Sequence, residues 1–247
     1  MILAIDAGNS RVKWGWHDGR AWHGLATVSL IEFAAASHDI NPFAATHEDP
    51  DQIVISNVAG DGAHHLLVNW TSIFEAEPVW VHGERECCGV SSRYEQPEQL
   101  GPDRWAALIA AHALDPKASL VVNAGTATTA DALSAEGEFL GGLILPGVEL
   151  MRFVLHEHTG RLPIQEGAYR PTPRNTVDAI ESGCRHAQAG AVERMYRLMG
   201  AKGLCLVSGG AGVALVEMLQ IPCRYVENLV LEGLVRIGRA KGLRRRT

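Results

Sequence analysis

Short apolar runs alternate along the chain with small-residue turns and with longer segments of helical periodicity. The runs at 1–5 and 119–122 predict buried strands. Residues 11–17 alternate between apolar and polar side chains, which predicts an antiparallel partner for the first strand. The segments 100–114 and 176–198 carry apolar residues at helical spacing and predict helices. Together these elements indicate an α/β protein.

The order of predicted elements repeats in the second part of the chain. A strand at 119–122, a small-residue turn and a hairpin at 128–145 follow the same plan as the first strands. Asp115-Pro116 ends the preceding helix, because proline disfavours helical geometry in the residue before it. We therefore predict a boundary between an N-terminal half, residues 1–115, and a C-terminal half, residues 116–247. The correspondence is architectural, without a repeat in the amino-acid sequence.

Each half begins with a strand that runs into a turn of small polar residues, Asp6–Ser10 in one and Asn123–Thr129 in the other. Such turns direct backbone N–H groups and hydroxyls at one point, as a polyphosphate requires. Either turn alone is commonly just a loop. The pair favours a nucleotide gripped by both halves. Asp6 implies Mg²⁺, bound directly or through water, because phosphates repel a carboxylate unless a cation lies between them.

This plan predicts a duplicated actin-like ATPase or acetate-and-sugar-kinase (RNase H-like) fold, with two similar halves and the nucleotide in the cleft. The P-loop string and the Gly-x-Gly-x-x-Gly string of a Rossmann sheet are both missing from the sequence. Gly209-Gly210, after an apolar run, fits a backbone platform under adenine or ribose, where a side chain would collide.

Composition narrows the function classes. The chain has 247 residues, 47% of them hydrophobic and 20% charged, with a net charge of -6. This acidic balance argues against a nucleic-acid partner, and the basic segment 239–246 is interpreted as the end of a C-terminal helix. No apolar run approaches the ~20 residues of a membrane span. Five dispersed cysteines and no recognisable signal peptide favour the cytoplasm.

Six short motifs occur in an order that is similar to one protein family. They are Asp6–Ser10, Gly101–Arg104, Gly125–Thr129, Gly141–Gly147, Asn175-Thr176 and Ser208–Gly210. Together they resemble type III pantothenate kinase, also described as the Bvg accessory factor family. The resemblance covers nearly the whole chain. It implies ATP-dependent phosphorylation of pantothenate to 4'-phosphopantothenate, the first step of coenzyme A synthesis, an actin-like fold and a homodimer.

The resemblance also implies site residues. For ATP these are Asp6, Ala7, Gly8, Asn9, Ser10, Arg11, Val12 and Lys13, together with Gly125 and Thr126 of the second turn and Ser208, Gly209 and Gly210. For pantothenate they are Tyr94, Gly101, Pro102, Asp103, Arg104 and Thr176, with Thr176 supplied by the neighbouring subunit.

Chemistry agrees with these assignments and leaves simpler alternatives open. Asp103 is the candidate catalytic residue, a general base that accepts the proton of the attacking hydroxyl; its alternative role is helix capping. Arg104 can form a two-pronged pair with the pantothenate carboxylate; its alternative is a surface ion pair. Tyr94 and Thr176 would be neutral hydrogen-bonding walls, although both could be ordinary surface residues.

One position departs from the family pattern. Many members carry Asp two residues before the Gly-Thr turn, where it binds a monovalent cation (K⁺ or NH₄⁺), and this chain has Asn123. An amide oxygen lacks the charge that attracts a cation, so activation by such ions is in doubt. Asp131 is a second candidate for the cation, and is equally explained as a strand-end carboxylate near the phosphates.

Three other functions compete with this one. The first is another actin-like small-molecule kinase or ATPase, against which the Gly101–Arg104 loop argues. The second is a non-enzymatic transcription accessory factor, disfavoured by the acidic charge and by intact candidate catalytic residues. The third is a filament former, for which the chain is short. A physical hint of dimerisation is Gly141-Gly142 with the apolar stretch to Pro146, which would allow backbones to pack closely, although the same residues could simply be core.

Overall fold

The computed structural model describes residues 1–36 and 49–245, with side chains up to residue 242. The basic segment 239–246 therefore lies partly outside the described residues. The chain forms two compact units, of which the first comprises Met1–Asp115 with Asn228–Thr247 and the second Pro116–Glu227.

The elements are named in chain order. The strands are β1 (Ile2–Ala7), β2 (Arg11–His17), β3 (Trp22–Ser29), β4 (Gln52–Asn57), β5 (Pro78–Trp80), β6 (Glu86–Cys87), β7 (Val90–Ser92), β8 (Ser119–Ala124), β9 (Ala127–Leu133), β10 (Glu138–Pro146), β11 (Leu204–Ser208) and β12 (Cys223–Tyr225). The α-helices are α1 (Leu30–Ala36), α2 (Gly60–Thr71), α3 (Pro102–Leu114), α4 (Val148–His158), α5 (Thr176–Leu198), α6 (Gly212–Val216) and α7 (Leu229–Arg245).

In the first unit five strands pair in the order β3-β2-β1-β4-β5. β1, β2 and β3 are antiparallel neighbours, whereas β4 and β5 run parallel to β1. An aromatic cluster fills the core beside this sheet, with Trp14 and Phe33 each packed edge-on against Trp70. Because such rings bury large apolar areas, the cluster fixes the sheet that carries the Asp6 turn.

Helix α7 belongs to the first unit, which differs from the predicted division at residue 116. It packs against α3, where a Cβ added to Gly233 would lie 1.9 Å from the Ala106 carbonyl oxygen. Only glycine allows so close a contact between the helix backbones. The chain thus returns to its first unit after Glu227, and the assignment of functions to two halves stays a prediction.

In the second unit five strands pair in the order β10-β9-β8-β11-β12. β8 is antiparallel to β9 and β9 to β10, while β11 and β12 run parallel to β8. This is the strand order and direction of the first unit, with β8 in the place of β1. One face carries the apolar core with residues of α5, such as Val192 and Tyr196. The repeated order supports the predicted duplication.

Two elements were not predicted from the sequence pattern. The β6–β7 hairpin and β12 have strands of only two or three residues, too short to show a period. The longer predicted strands and helices are present with ends shifted by a few residues. In the described part of the chain, no helix combines the length and apolarity needed to cross a membrane.

Candidate active site

The first turn is held by backbone hydrogen bonds from both neighbouring strands. Gly8 N donates to the Arg11 carbonyl at 2.9 Å, which closes the turn between β1 and β2. Val58 N donates to the Ala7 carbonyl at 2.9 Å and joins the turn to the end of β4. Asn9 and Ser10 are exposed at the tip. The turn therefore presents its tip to solvent while its base is fixed in the sheet.

Asp6 is the charged residue at the base of this turn, and its environment disfavours the charge. It lies opposite Lys13 of β2 and Ser56 of β4. Burial and, to a smaller extent, the charge of Asp103 raise its pKa to about 7, against the opposing effects of Ser56 and Lys13. Among the described residues, Asp6 Oδ1 and Ser56 Oγ are buried without a hydrogen-bond partner. A carboxylate oxygen in this state is suited to a hard cation.

Lys13 connects the turn to the start of α7. Its Nζ donates to Asn228 Oδ1 at 3.1 Å. Asn228 has a positive φ of 57°, a conformation that asparagine tolerates better than most residues. Because Lys13 lies opposite Asp6, the ammonium is held beside the carboxylate.

Asp103 lies in the first turn of α3, whose N-cap position is Gly101. Its carboxylate accepts hydrogen bonds from the backbone N–H groups of Asp103 and Arg104. Its alternative role at the start of the helix therefore stays open. A Cβ added to Gly101 would lie 2.6 Å from Asp103 Oδ1, so the carboxylate rests against the glycine. Burial raises the pKa of Asp103, while the backbone N–H and the charge of Arg104 oppose the rise.

Arg104 is buried, with only 4% of its surface exposed, so its alternative as a surface ion pair is wrong. Its Nη1 donates to the Tyr94 hydroxyl at 3.2 Å. The guanidinium carbon also lies 5.8 Å from the centre of the Tyr94 ring, within the range of a cation–π contact. The structure thus brings together two of the residues predicted to contact pantothenate.

Arg85 is a residue that the sequence analysis missed. Its Nη1 donates to the carbonyls of Ser92 and Tyr94, both at 2.9 Å, and its Nη2 donates to that of Glu95 at 3.3 Å. These bonds fold the segment that carries Tyr94 around one guanidinium. An isolated arginine that binds backbone carbonyls has no signature in the amino-acid sequence.

The second turn has the same construction as the first, in the second unit. Gly125 N donates to the Ala127 carbonyl at 3.0 Å, and Gly147 N donates to that of Thr126 at 2.8 Å. A Cβ on Gly147 would lie 2.2 Å from the Gly125 carbonyl oxygen, so the two segments touch through their backbones. Thr126 is exposed at the tip.

The Ser208–Gly210 segment packs against the base of this second turn. Gly209 has a φ of +94°, and its added Cβ would lie 2.4 Å from the Ala124 carbonyl oxygen. Ser208 lies opposite Asn123 in the parallel pairing of β11 with β8. The segment therefore packs closely against the end of β8, and its role as an adenosine platform stays a prediction.

Asn123 and Asp131 lie on one face of the second sheet, since Asn123 is opposite Thr129 and Asp131 is opposite Val121. Asp131 is 2% exposed and lies inside β9 rather than at its end, which corrects the predicted strand-end position. In residues 1–36 and 49–245, no three His, Cys, Asp or Glu side chains form a cluster that could hold a metal.

Thr176 is the first residue of α5, after an N-cap in which Asp178 N donates to Asn175 Oδ1 at 2.8 Å. It lines an apolar groove of about 670 Å³ between α4 and α5, in the second unit.

Comparison with known proteins identifies the family. A family model described as type III pantothenate kinase matches residues 2–198. A type III pantothenate kinase of Aromatoleum aromaticum is 50% identical over 243 residues, covering 97% of this chain and 98% of that protein. This chain belongs to the type III pantothenate kinase family. The family predicted from the six motifs is confirmed, as is the prediction of an enzyme.

Solved structures confirm the fold predicted for this family member. A Campylobacter jejuni protein described as a Baf family transcriptional activator has a TM-score of 0.62 at 22% identity, covering 98% of this chain and 99% of that one. The activator of 2-hydroxyisocaproyl-CoA dehydratase from Clostridium difficile, with bound ADPNP, has a TM-score of 0.56 at 10% identity, covering 100% and 97%. At these identities the likeness concerns the fold alone, and it agrees with the duplicated actin-like architecture.

Membership of the type III pantothenate kinase family settles the broad chemistry. The chain is a kinase that uses ATP with a metal. Neither another small-molecule kinase nor a non-enzymatic transcription accessory factor is favoured, because the kinase relative matches along nearly its whole length. The roles of individual residues remain predictions.

Proposed function

We propose that this chain transfers the terminal phosphoryl group of ATP to pantothenate, with Asp103 as general base. The observation that carries the proposal is the setting of Asp103: its carboxylate has a raised pKa and is adjacent in sequence to the buried Arg104. A base with a raised pKa is better matched to accept a proton near neutral pH. The product is 4'-phosphopantothenate, the first intermediate of coenzyme A synthesis.

The substrate is oriented by Arg104 and Tyr94. The planar guanidinium can bind the pantothenate carboxylate through two parallel N–H groups. Tyr94 already accepts a hydrogen bond from Arg104 Nη1, which limits the rotation of the guanidinium. Asp103 then takes the proton of the attacking hydroxyl, so the oxygen gains the phosphoryl group as it loses that proton.

Asp6 is proposed to hold Mg²⁺, directly or through a bound water. The donor set fits, because Mg²⁺ commonly takes one or two carboxylates and completes its shell with water and phosphate oxygens. When bound, the ion neutralises charge on the phosphates. The buried and unpartnered Asp6 Oδ1 supports this role.

The phosphates of ATP are proposed to bind the Asp6–Lys13 segment of the first unit and the Gly125-Thr126 turn of the second. Both turns have exposed tips and bases fixed by backbone hydrogen bonds. Ser208, Gly209 and Gly210 are proposed to contact the adenosine, and the close packing of Gly209 against the Ala124 backbone would hold this segment beside the second turn.

A homodimer is proposed, with the groove between α4 and α5 as the surface that a second copy covers. The groove is apolar, and Phe153 and Val154 of α4 expose about half of their surface. Thr176 lines it, so a second copy seated there would contact Thr176. Light scattering should give twice the chain mass, and Val154→Glu should give the mass of one chain.

Two further expectations concern environment. The cysteines are dispersed along the chain without a Cys-x-x-Cys pair, which supports a place in the reducing cytoplasm. K⁺ or NH₄⁺ is expected to have little effect on turnover, because Asn123 offers an amide where a carboxylate would attract the ion. Asp131 lies on the same face and is the residue to substitute if added salt does activate.

The test is ADP release by the purified protein with magnesium-ATP and pantothenate. Asp103→Asn should lower kcat by roughly 10²–10⁴-fold while leaving the binding of an ATP analogue unchanged. Asp61→Asn is the matched control, because Asp61 is likewise in the first turn of a helix but is exposed. Normal turnover in Asp103→Asn would exclude this residue as the base, and no pantothenate-dependent turnover in the parent protein would refute the function.

A further inference from the structure

A pair of adjacent thiols lies at the tip of the β6–β7 hairpin, a segment to which the proposed catalysis assigns no chemistry. Cys87 pairs with Val90 across the hairpin, so Cys88 and Gly89 form its two-residue turn. Both turn residues have positive φ, 53° for Cys88 and 80° for Gly89. These angles define a type I′ turn, whose usual sequence is Asn-Gly. Cysteine is therefore an unusual choice for this position.

The turn brings the two sulfurs together. Cys87 Sγ and Cys88 Sγ are 3.5 Å apart. Cys88 is exposed, and its Sγ also lies 3.7 Å from the Arg236 carbonyl oxygen of α7. A reagent can therefore reach Cys88 from solvent and finds the second sulfur within contact distance.

A direct disulfide between these residues is disfavoured by geometry. The Cα atoms of neighbouring residues are about 3.8 Å apart across a trans peptide bond, whereas disulfides usually join Cα atoms roughly 4.4–6.8 Å apart. The strained bond would be easily reduced. An atom inserted between the sulfurs enlarges the ring and relieves that strain, so the pair is better suited to chelate a thiophilic atom than to oxidise.

We propose that Cys87 and Cys88 form a chelating dithiol site for trivalent arsenicals of the form R–As=O. Two As–S bonds form, the As=O bond is broken, and the two thiol protons leave with the oxygen as water. Arsenic remains trivalent, so no oxidant or reductant is required. A pyramidal trivalent arsenic keeps its two sulfur ligands about as close together as these sulfurs already lie.

The order of attack follows from the surroundings of each sulfur. The hydrogen bond with Cys88 and burial raise the pKa of the Cys87 thiol, with further contributions from the charges of Cys88 and Glu84. Cys88 is therefore the sulfur that attacks first, since it is exposed while Cys87 is buried and forms its nucleophilic thiolate less readily. Cys87 closes the ring afterwards, in an intramolecular step favoured by its high effective concentration.

The other cysteines are poorer candidates. Cys184 and Cys205 are buried, and burial raises the pKa of Cys205 to about 12. Cys223 is opposite Cys205 in the pairing of β11 with β12 and is partly exposed. Cys223 is therefore the appropriate control. Its substitution tests whether any two neighbouring thiols are enough to bind the arsenical.

The experiment is intact-protein mass spectrometry of the reduced protein with phenylarsine oxide. The parent chain should gain one phenylarsenic group with loss of one water, and 2,3-dimercaptopropanol should remove the group more effectively than a monothiol. Cys88→Ser and Cys88→Asn should weaken binding by roughly 100-fold or more, because one sulfur remains. Cys88→Asn creates the preferred Asn-Gly turn, so it should keep the melting temperature of the parent.

Cys223→Ser should retain the adduct at parent affinity. The proposal is overturned if Cys88→Asn binds phenylarsine oxide as tightly as the parent, or if Cys223→Ser removes the adduct. Because the readout is mass rather than turnover, the result does not depend on the proposed catalytic roles.

Discussion

Arg104 and Tyr94 contact each other in two ways, through a hydrogen bond of 3.2 Å to the phenol oxygen and through a guanidinium 5.8 Å from the ring centre. The ring and the bond together fix the plane of a buried cation. A guanidinium with a fixed plane can select a carboxylate by shape as well as by charge.

The first prediction is that Arg104→Lys raises the KM for pantothenate by roughly 10- to 100-fold, because a charge-assisted hydrogen bond contributes about 1.5–3 kcal/mol. Lysine keeps the charge but cannot bind a carboxylate with two parallel N–H groups. The KM for ATP should stay within twofold of the parent. Arg197→Lys, at an exposed arginine that pairs with Glu193, is the control and should change neither constant. An unchanged pantothenate KM in Arg104→Lys would remove Arg104 from the substrate site.

Arg85 should act by positioning Tyr94. Replacing Arg85 by alanine removes three hydrogen bonds to the backbone of residues 92–95. We expect the KM for pantothenate to rise several-fold with little change in the KM for ATP, since the predicted ATP residues do not include this segment. Arg85→Lys should recover part of the loss, because its ammonium can still reach one carbonyl. If both KM values rise together with a lower melting temperature, the role of Arg85 is general stability.

The raised pKa of Asp6 makes stability depend on pH. The carboxyl titrates near 3.8 when free of such interactions and near 7 in the folded protein. Between these values the folded state binds more protons, so the free energy of unfolding falls as pH rises and the full cost is present above about 7. The difference corresponds to at most roughly 4 kcal/mol.

Asp6→Asn should remove the loss of folding stability that ionisation of the Asp6 carboxyl causes. In calorimetry without metal or nucleotide, the variant should be more stable than the parent at pH 8, and the advantage should shrink at pH 5. Asp61→Asn should follow the parent across the range, because Asp61 is exposed. Equal pH dependence in Asp6→Asn and the parent would show that Asp6 is ionised normally.

Two glycines of the second unit should respond to alanine in opposite directions. In Gly147→Ala the new Cβ would lie 2.2 Å from the Gly125 carbonyl oxygen, so backbone must move, and we expect a loss of about 2 kcal/mol. Gly190 lies in α5 with nothing within 4 Å of an added Cβ. Gly190→Ala should stabilise by up to about 1 kcal/mol through helix propensity. Urea unfolding measures both, and a Gly147→Ala protein as stable as the parent would contradict the close contact.

The sequence predicted those parts of the molecule that a local pattern encodes. Apolar runs located β1 and β8, and the turns after them were visible in Asp6–Ser10 and Asn123–Thr129. The place of α7 in the first unit was not predictable in this way, because it depends on a contact between Gly233 and Ala106 that are far apart in the chain. Arg85 was missed for the same reason, since its partners are backbone carbonyls, which every residue carries.

Asp6 and Asn123 are counterparts, because each is the fifth residue of the first strand of its unit and each faces a serine on the parallel neighbour, Ser56 or Ser208. The two units share this strand order but differ at this position, where the carboxylate of Asp6 is replaced by the amide of Asn123. The exchange leaves a carboxylate at this position in the first unit and a neutral amide at the same position in the second. Two substitutions make the two positions equivalent. Asp6→Asn gives both units a neutral amide at this position, and Asn123→Asp gives both units a carboxylate.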